Sequence, residues 1–178
     1  MIVWRIFLFA MIPAAAFAQS PDMVSPLIAN HASGVICAPP TKGTSPAPGT
    51  VAGTTHLIDV EPAFVSHSRR VPAVLGIGFG IKALAVDISG IDDVLITISH
   101  PEMGDQKATA QSFGSLIRGT DPSLTFYQFD FDYELVTGIW QMEASRGTEI
   151  LYRTTFEVVT PDQAPELATI CGFENLLS

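Results

Sequence analysis

Short segments in which apolar and polar residues alternate, separated by turn residues, fill most of the sequence between its two cysteines. In one of them Val94, Ile96 and Ile98 share one face of an extended chain. A period of two is typical of β-strands, and no long amphipathic helix pattern is present. Many short strands without helices predict an all-β fold, an immunoglobulin-like antiparallel β-sandwich, with a small β-barrel as the alternative.

Aromatic and polar side chains alternate without a break from residue 127 to residue 134. One face carries Tyr127, Phe129, Phe131 and Tyr133, and the other carries Gln128, Asp130, Asp132 and Glu134. We predict one continuous strand with the aromatic face in the core and the acidic face in solvent. Carboxylates on one strand face lie about 7 Å apart at a rise of about 3.3 Å per residue. A calcium site would therefore need further oxygen ligands from loops, and we interpret the acids as a solvated face.

Two strands near the C-terminus predict a β-hairpin. A three-residue loop from Ser145 to Gly147 places Trp140 opposite Tyr152 and aligns the apolar residues of the two strands. The same loop places Gly147 where a left-handed backbone is needed. We therefore expect this register, with Trp140 in the core.

Less regular patterns predict strands at 34–38, 54–60, 64–68 and 77–86, and a loop with a short strand at 103–112. Glycines alternate along the strand that begins near Gly76, as Gly76, Gly78 and Gly80. They do not form the G-x-G-x-x-G pattern that opens a helix, so we predict a bare strand face for packing rather than a nucleotide site.

The N-terminus predicts a secretory signal peptide over residues 1–18. Arg5 precedes an apolar run, Pro13 ends the run, and Ala16-Phe17-Ala18 supplies the small-residue cleavage pattern. The run is shorter than the roughly 20 residues that a membrane-spanning helix needs, which argues against an uncleaved anchor. No later segment is apolar enough to span a membrane, so the mature chain is expected to be periplasmic or secreted.

Composition divides the remaining chain into three parts. Residues 19–33 are polar without a sustained period and are predicted to be a flexible N-terminal segment. Residues 34–160 are predicted to form the β-sandwich, within which the Pro- and Gly-rich stretch 39–53 favours an irregular loop. Residues 161–178 form a C-terminal tail that begins at a proline.

The two cysteines, Cys37 and Cys171, lie near the two ends of the predicted sandwich. Cysteines of a secreted chain normally pair, and we predict a disulfide that fastens the tail to the domain, with two free thiols as the alternative. The sequence has no C-x-x-C motif, so neither a redox motif nor a thiolate zinc site is indicated.

Acidic residues outnumber basic ones by 18 to 9, and the formal net charge of −9 argues against nucleic-acid binding. The one basic cluster is His67-Ser68-Arg69-Arg70. Its residues His67, Arg69 and Arg70 are the candidate binding residues, for an anionic partner. The alternative interpretation is a solvated strand end.

No motif for catalysis, metal binding or a cofactor is present. The sequence lacks the G-x-S-x-G and H-E-x-x-H patterns, and its histidines are scattered. We therefore predict no catalytic residue, no metal ligand and no cofactor, and expect His31, His56, His67 and His100 at surface or turn positions.

Five motifs together resemble an uncharacterised family of small secreted bacterial proteins. They are Gly34-Val35-Ile36-Cys37, Val71 to Gly80, His100-Pro101, Tyr133 to Trp140, and Phe156 to Val159. The resemblance implies a domain from the periplasm of a Gram-negative bacterium, with a sandwich fold and no assigned activity.

Two classes of function remain. The first is a non-enzymatic periplasmic binding or interaction module whose loops or sheet edge contact an unknown protein, an envelope polymer or a small ligand. The second is a small hydrolase or metal-dependent enzyme with a site built from loops. Histidines and carboxylates that converge in a deep pocket would favour the enzyme, whereas an apolar patch or an open edge strand would favour the binding module.

Overall fold

A computed structural model describes residues 21–172 of the chain. Its elements are eleven strands, two short 3₁₀ helices and one short α-helix. The strands are β1 (Met23–Val24), β2 (Ile28–Cys37), β3 (Thr41–Pro46), β4 (Thr54–Ile58), β5 (Arg70–Pro72), β6 (Ile77–Ala85), β7 (Ile91–Met103), β8 (Ala108–Ile117), β9 (Ser123–Gln128), β10 (Gly138–Arg146) and β11 (Glu149–Val159). The 3₁₀ helices are Asp132–Glu134 and Pro161–Gln163, and helix α1 is Pro165–Thr169.

Two sheets pack face to face. The larger sheet has the order β1-β11-β10-β7-β8, with β5 pairing in parallel to β11, and the smaller sheet has the order β2-β6-β9. All other strand pairs are antiparallel. Strands β3 and β4 form a separate two-stranded hairpin. The immunoglobulin-like antiparallel β-sandwich predicted from the sequence is confirmed, and the barrel alternative is not what forms.

The core lies between the sheets and is centred on aromatic rings. Trp140 of β10 is fully buried, and its indole meets the ring of Phe79 of β6 edge-on, with ring centroids 5.6 Å apart. Phe156 of β11, the cross-strand partner of Trp140, also approaches Phe79, at 4.9 Å. The two sheets thus interlock through their aromatic residues, and the core position predicted for Trp140 is confirmed.

The C-terminal hairpin forms, but the predicted register is wrong. Trp140 lies opposite Phe156, not Tyr152, because the turn has two residues between Arg146 and Glu149 and a bulge falls at Ala144 and Ser145. A bulge adds one residue to one strand, and a period of two read from the sequence cannot show it. Gly147 has a φ of +59°, so the left-handed position expected for it is confirmed.

The predicted strand from residue 127 to residue 134 is only half correct. Strand β9 ends at Gln128, and a 3₁₀ helix begins at Asp132. Phe131 and Tyr133 are exposed and stack on each other at 5.3 Å, whereas Glu134 is buried with 4% exposure. The orientation is therefore reversed at this end because the Glu134 side chain turns back to bind the backbone of Asp130 and Phe131.

Several segments are more regular than predicted. Strand β2 begins at Ile28, inside the 19–33 segment expected to be flexible, and β3 lies inside the 39–53 stretch expected to be a loop. The segment 103–112, predicted to be a loop with a short strand, contains a turn at 104–107 and the first half of the long strand β8. Residues 64–68 contribute only an isolated bridge between Val35 and Ser66. Pairing with distant strands supplies the order that these local patterns lack.

The disulfide predicted between Cys37 and Cys171 is confirmed. It joins the end of β2 to the residues after helix α1, across a sequence separation of 134 residues. The predicted signal peptide lies outside the described residues. Within residues 21–172, no helix is long and apolar enough to cross a membrane.

Candidate ligand-binding site

A cavity of about 390 Å³ opens where the sandwich ends between the edge strands β8 and β9, and the β3-β4 hairpin covers it. Thr44 and His56 are cross-strand partners in this hairpin, and both line the cavity, so one face of the hairpin forms its roof. The volume is within the range of small-ligand sites, about 300–1,000 Å³. The fold thus leaves room for a ligand at its open end.

The cavity wall is mostly apolar. The side chains of Ile58, Ile98, Phe113, Leu124 and Phe126 contribute to it, from both sheets and from the roof. Polar side chains line it at a few points, among them His56, Gln111, Tyr127, Asp130 and Glu134. An apolar wall with a few convergent polar groups is the usual composition of a small-ligand site.

A histidine–aspartate pair joins the roof to the body. The Nε2–H of His56 donates to Oδ2 of Asp130 at 2.6 Å, and the amide of Gln128 donates to Oδ1 of the same carboxylate at 2.6 Å. Both carboxylate oxygens of Asp130 are therefore engaged, and the imidazole is oriented by its partner. The Nδ1 atom of His56 is buried and makes no hydrogen bond within the described residues.

Glu134 holds the loop after β9 in place from inside. Its carboxylate accepts hydrogen bonds from the backbone N–H of Asp130 at 2.6 Å and of Phe131 at 3.0 Å, and from the hydroxyl of Tyr127 at 2.8 Å. Burial raises the pKa of Glu134, and burial together with the Glu134 carboxylate raises that of Tyr127. With three donors on one buried carboxylate, this group is a structural anchor for Asp130.

A series of hydrogen bonds through His100 and Gln111 connects strand β7 to the turn of the roof. The Nδ1–H of His100 donates to the carbonyl of Pro101 at 2.8 Å, so its Nε2 accepts from the amide of Gln111 at 3.2 Å. The amide oxygen of Gln111 accepts from the backbone N–H of Val51, in the turn between β3 and β4, at 2.8 Å. Burial lowers the pKa of His100, which keeps the imidazole neutral in this chain.

The predicted binding residues His67, Arg69 and Arg70 lie away from this cavity, at and before the start of β5. Arg69 forms an ion pair with Asp22, and Arg70 pairs with Glu157 at 3.1 Å. His67 hydrogen-bonds the carbonyl of Ser33 at 3.2 Å. The structure places the three residues together on the surface, and both arginines already have carboxylate partners.

The positions predicted for the histidines and acids need two corrections. His100 is buried at 6% exposure rather than at a surface or turn position, because its ring packs on Trp140. Glu134 is not part of a solvated face with Asp130 and Asp132. No group of three or more His, Cys, Asp or Glu side chains within residues 21–172 is arranged to hold a metal ion.

Sequence reasoning did not identify the cavity residues His56, Gln111 and Glu134. His56 and Asp130 are 74 residues apart, and Gln111 meets Val51 across 60 residues. No local motif signals such long-range contacts, and the only hint was the single histidine in an otherwise Thr-rich strand, β4.

Comparisons with known proteins identify a family but no activity. A family model described as a domain of unknown function (DUF3859) matches residues 25–158. No curated protein matches the chain. A solved structure described as an immunoglobulin-like protein from Pseudomonas aeruginosa is similar, with a TM-score of 0.48 and 17% identity over 80% of this chain and 99% of that chain. The family of unknown function predicted from the sequence motifs is confirmed.

Proposed function

The chain belongs to the DUF3859 family of domains of unknown function, and from this premise we propose that it is a non-enzymatic binding module that holds its ligand in the cavity beneath the β3-β4 hairpin. The observation that supports the proposal is the cavity itself. It combines about 390 Å³ of space, an apolar wall and polar groups whose orientation is already fixed by neighbours. Sites with these properties bind ligands with a small loss of side-chain freedom.

The proposed compartment is the periplasm or the extracellular space. The Cys37–Cys171 disulfide supports it, because disulfides persist in oxidising compartments. The sequence pattern of residues 1–18 supports it independently. The ligand then comes from the cell envelope or from outside the cell.

The cluster of His67, Arg69 and Arg70 is a lesser candidate within the same proposal. Asp22 and Glu157 already bind the two arginines, so they compete with an anionic envelope polymer for these charges. Exposed ion pairs contribute little free energy, so displacement of these carboxylates costs little, but it adds no specificity. The cavity offers shape as well as charge, and we favour it as the binding site.

A hydrolase is the second candidate, and the pair of His56 and Asp130 favours it. An aspartate that orients a histidine is one part of a general-base system. The chemistry also needs a nucleophile or an activated water at the free nitrogen, and Nδ1 of His56 has no hydrogen-bonded hydroxyl or thiol within residues 21–172. The carboxylate of Glu134 is fully used by three donors.

Binding of the neutral apolar dye N-phenyl-1-naphthylamine tests the proposal. Its fluorescence should rise on addition of the protein and saturate at one dye per chain. Ile58→Trp places a large ring in the cavity and should weaken dye binding at least tenfold. Leu57→Trp is the matched control, because the neighbouring Leu57 does not line the cavity and is 50% exposed.

Equal dye binding by both variants, or no saturable binding by the parent protein, would refute a site in this cavity. The enzyme candidate is tested in parallel with p-nitrophenyl acetate and butyrate. Hydrolysis that is lost in His56→Ala and in Asp130→Asn, but kept in His67→Ala, would show that the protein is a hydrolase and would refute the non-enzymatic proposal.

A further inference from the structure

Strand β9 has a free backbone edge on the side away from β6. Phe129, one residue beyond the strand, donates its N–H to the carbonyl of Ile77 at 3.0 Å, so the odd-numbered residues bond towards β6. Backbone groups alternate along an antiparallel strand, and the N–H and C=O groups of Leu124, Phe126 and Gln128 therefore point to the opposite side. No backbone hydrogen bond within residues 21–172 reaches them from that side.

This free edge borders the cavity. Five consecutive residues, 124 to 128, line the cavity, although side chains of neighbouring residues on a strand point to opposite faces. Because all five residues line the cavity, the cavity runs along the edge of the strand, and the backbone groups of that edge face it. The apolar side chains of Ile98 and Phe113 lie across the cavity from the other sheet.

The facing edge strand, β8, is partly occupied. The backbone N–H of Ser112 donates to the carbonyl of Gly49, in the turn between β3 and β4, at 2.9 Å. The protein thus covers part of one of the two strand edges that border the cavity with its own chain. Unprotected edges invite pairing with other chains, and most proteins block them.

The two strands of the roof over β9 do not pair with either sheet. Strands β3 and β4 pair only with each other within the described part of the chain. The roof reaches the body through the His56–Asp130 hydrogen bond and through the turn that contains Gly49 and Val51. It can therefore rise from β9 without the loss of a ladder of backbone hydrogen bonds.

From these observations, and resting on the proposed function, we infer that the occupant of the cavity is an extended peptide segment of a partner protein that adds to the free edge of β9. Three outward residues of β9 match a segment of about five or six residues, at about 3.3 Å per residue. Alternate side chains of the segment enter the apolar cavity. Asp130 and Glu134 line the same space, so the segment is neutral or basic.

The first experiment uses a phage-displayed library of random heptapeptides, selected on the immobilised full chain. A selected peptide is then synthesised with N-methyl groups on alternate residues, in both possible registers. Methylation of the residues that face β9 should weaken binding at least tenfold, because it removes the donors of the added strand. Ile58→Trp should weaken peptide binding, and Leu57→Trp should not.

Backbone amide exchange followed by NMR gives a readout on the protein itself. Without peptide, the amides of Leu124, Phe126 and Gln128 should exchange faster than those of Thr125 and Tyr127. The selected peptide should slow exchange at the three outward amides by at least tenfold. Phe126→Pro, which removes one outward N–H, should weaken peptide binding more than Phe126→Ala does.

The outcomes separate this inference from the proposed function. Dye binding without a selectable peptide would overturn the peptide strand and leave the ligand-binding cavity in place. A selected peptide whose affinity is unchanged by N-methylation in either register would likewise overturn pairing with β9. Loss of both dye and peptide binding in Ile58→Trp, together with protection of the outward amides, supports both.

Discussion

The imidazole of His100 packs against the indole of Trp140 in a tilted arrangement, with ring centroids 4.8 Å apart and planes inclined by 35°. One edge of the histidine ring is bound to the carbonyl of Pro101 and the other to the amide of Gln111. The contact connects the centre of the sandwich core to the inner end of the cavity. His100, whose lowered pKa keeps the ring neutral, therefore contacts both the core residue Trp140 and the cavity residue Gln111.

This arrangement predicts a loss of stability on acidification. Burial lowers the pKa of His100 in the folded chain below its ordinary value of 6.5. Below pH 6.5 the unfolded chain therefore takes up a proton that the folded chain refuses, and the free energy of unfolding falls until the lowered pKa is reached. In urea unfolding measured above and below pH 6.5, His100→Asn should reduce this fall. An unchanged fall would show that other groups, such as His31, carry it.

Replacement of Trp140 by alanine should destabilise the domain by about 3–5 kcal/mol, because the side chain is fully buried among aromatic rings. Ile139→Ala is the control on the same strand, since Ile139 faces outward with 41% exposure. It should change the free energy of unfolding by about 0.5 kcal/mol or less. Equal losses in the two variants would contradict the assignment of the inner face of β10.

Glu134→Gln should lower the free energy of unfolding by about 1–3 kcal/mol. The amide oxygen can keep the two backbone N–H donors, but the NH₂ group then lies against the Tyr127 hydroxyl, which must change from donor to acceptor, and the hydrogen bonds lose the assistance of the negative charge. Asp132→Asn is the control, because Asp132 is exposed in the same 3₁₀ helix. Equal stability of Glu134→Gln and the parent in thermal and urea unfolding would argue against the three-donor anchor.

Calcium should leave the melting temperature unchanged. The carboxylate of Asp130 is bound by His56 and Gln128, and that of Glu134 by three donors, so neither is available to a cation without loss of these bonds. A ligand that does not prefer the folded state cannot stabilise it. Thermal scans with chelator and with millimolar calcium provide the measurement. A rise of several degrees that disappears in Asp130→Asn would establish a site instead.

Removal of the disulfide by the double substitution Cys37→Ala and Cys171→Ala should lower the free energy of unfolding by up to about 5 kcal/mol, the value of the chain-entropy model for a loop of this length. Guanidinium unfolding with and without reductant provides the check. The parent should lose stability when reduced, and the double variant should not respond.

The sequence correctly predicts a strand where apolar and polar side chains alternate over its whole length. Ile96 and Ile98, which define the clearest alternation, are buried as expected in β7. It was insufficient where one residue departs from the period. The two-residue turn between Arg146 and Glu149, together with the bulge at Ala144 and Ser145, shifts the partner of Trp140. The Glu134 side chain ends the alternation that begins at Tyr127.

The site was harder to predict than the fold, for a physical reason. Strand patterns are local, whereas the cavity is formed where the chain folds back over long distances. The contact between His56 and Asp130 depends on the position of the β3-β4 hairpin over the end of β9, and nothing near either residue in the sequence reports it. The disulfide could be predicted because only two cysteines exist to pair.

The Cys37–Cys171 bond closes residues 37–171 into a covalent ring. A protease that cuts one exposed turn within the ring opens it without releasing a fragment, so the nicked protein remains a single molecule until it is reduced. The two new ends stay tethered at high effective concentration, which favours the native strand pairs over exchange with other chains. The same bond therefore keeps a chain that has been cut once in one piece, with its native strand pairs close enough to re-form.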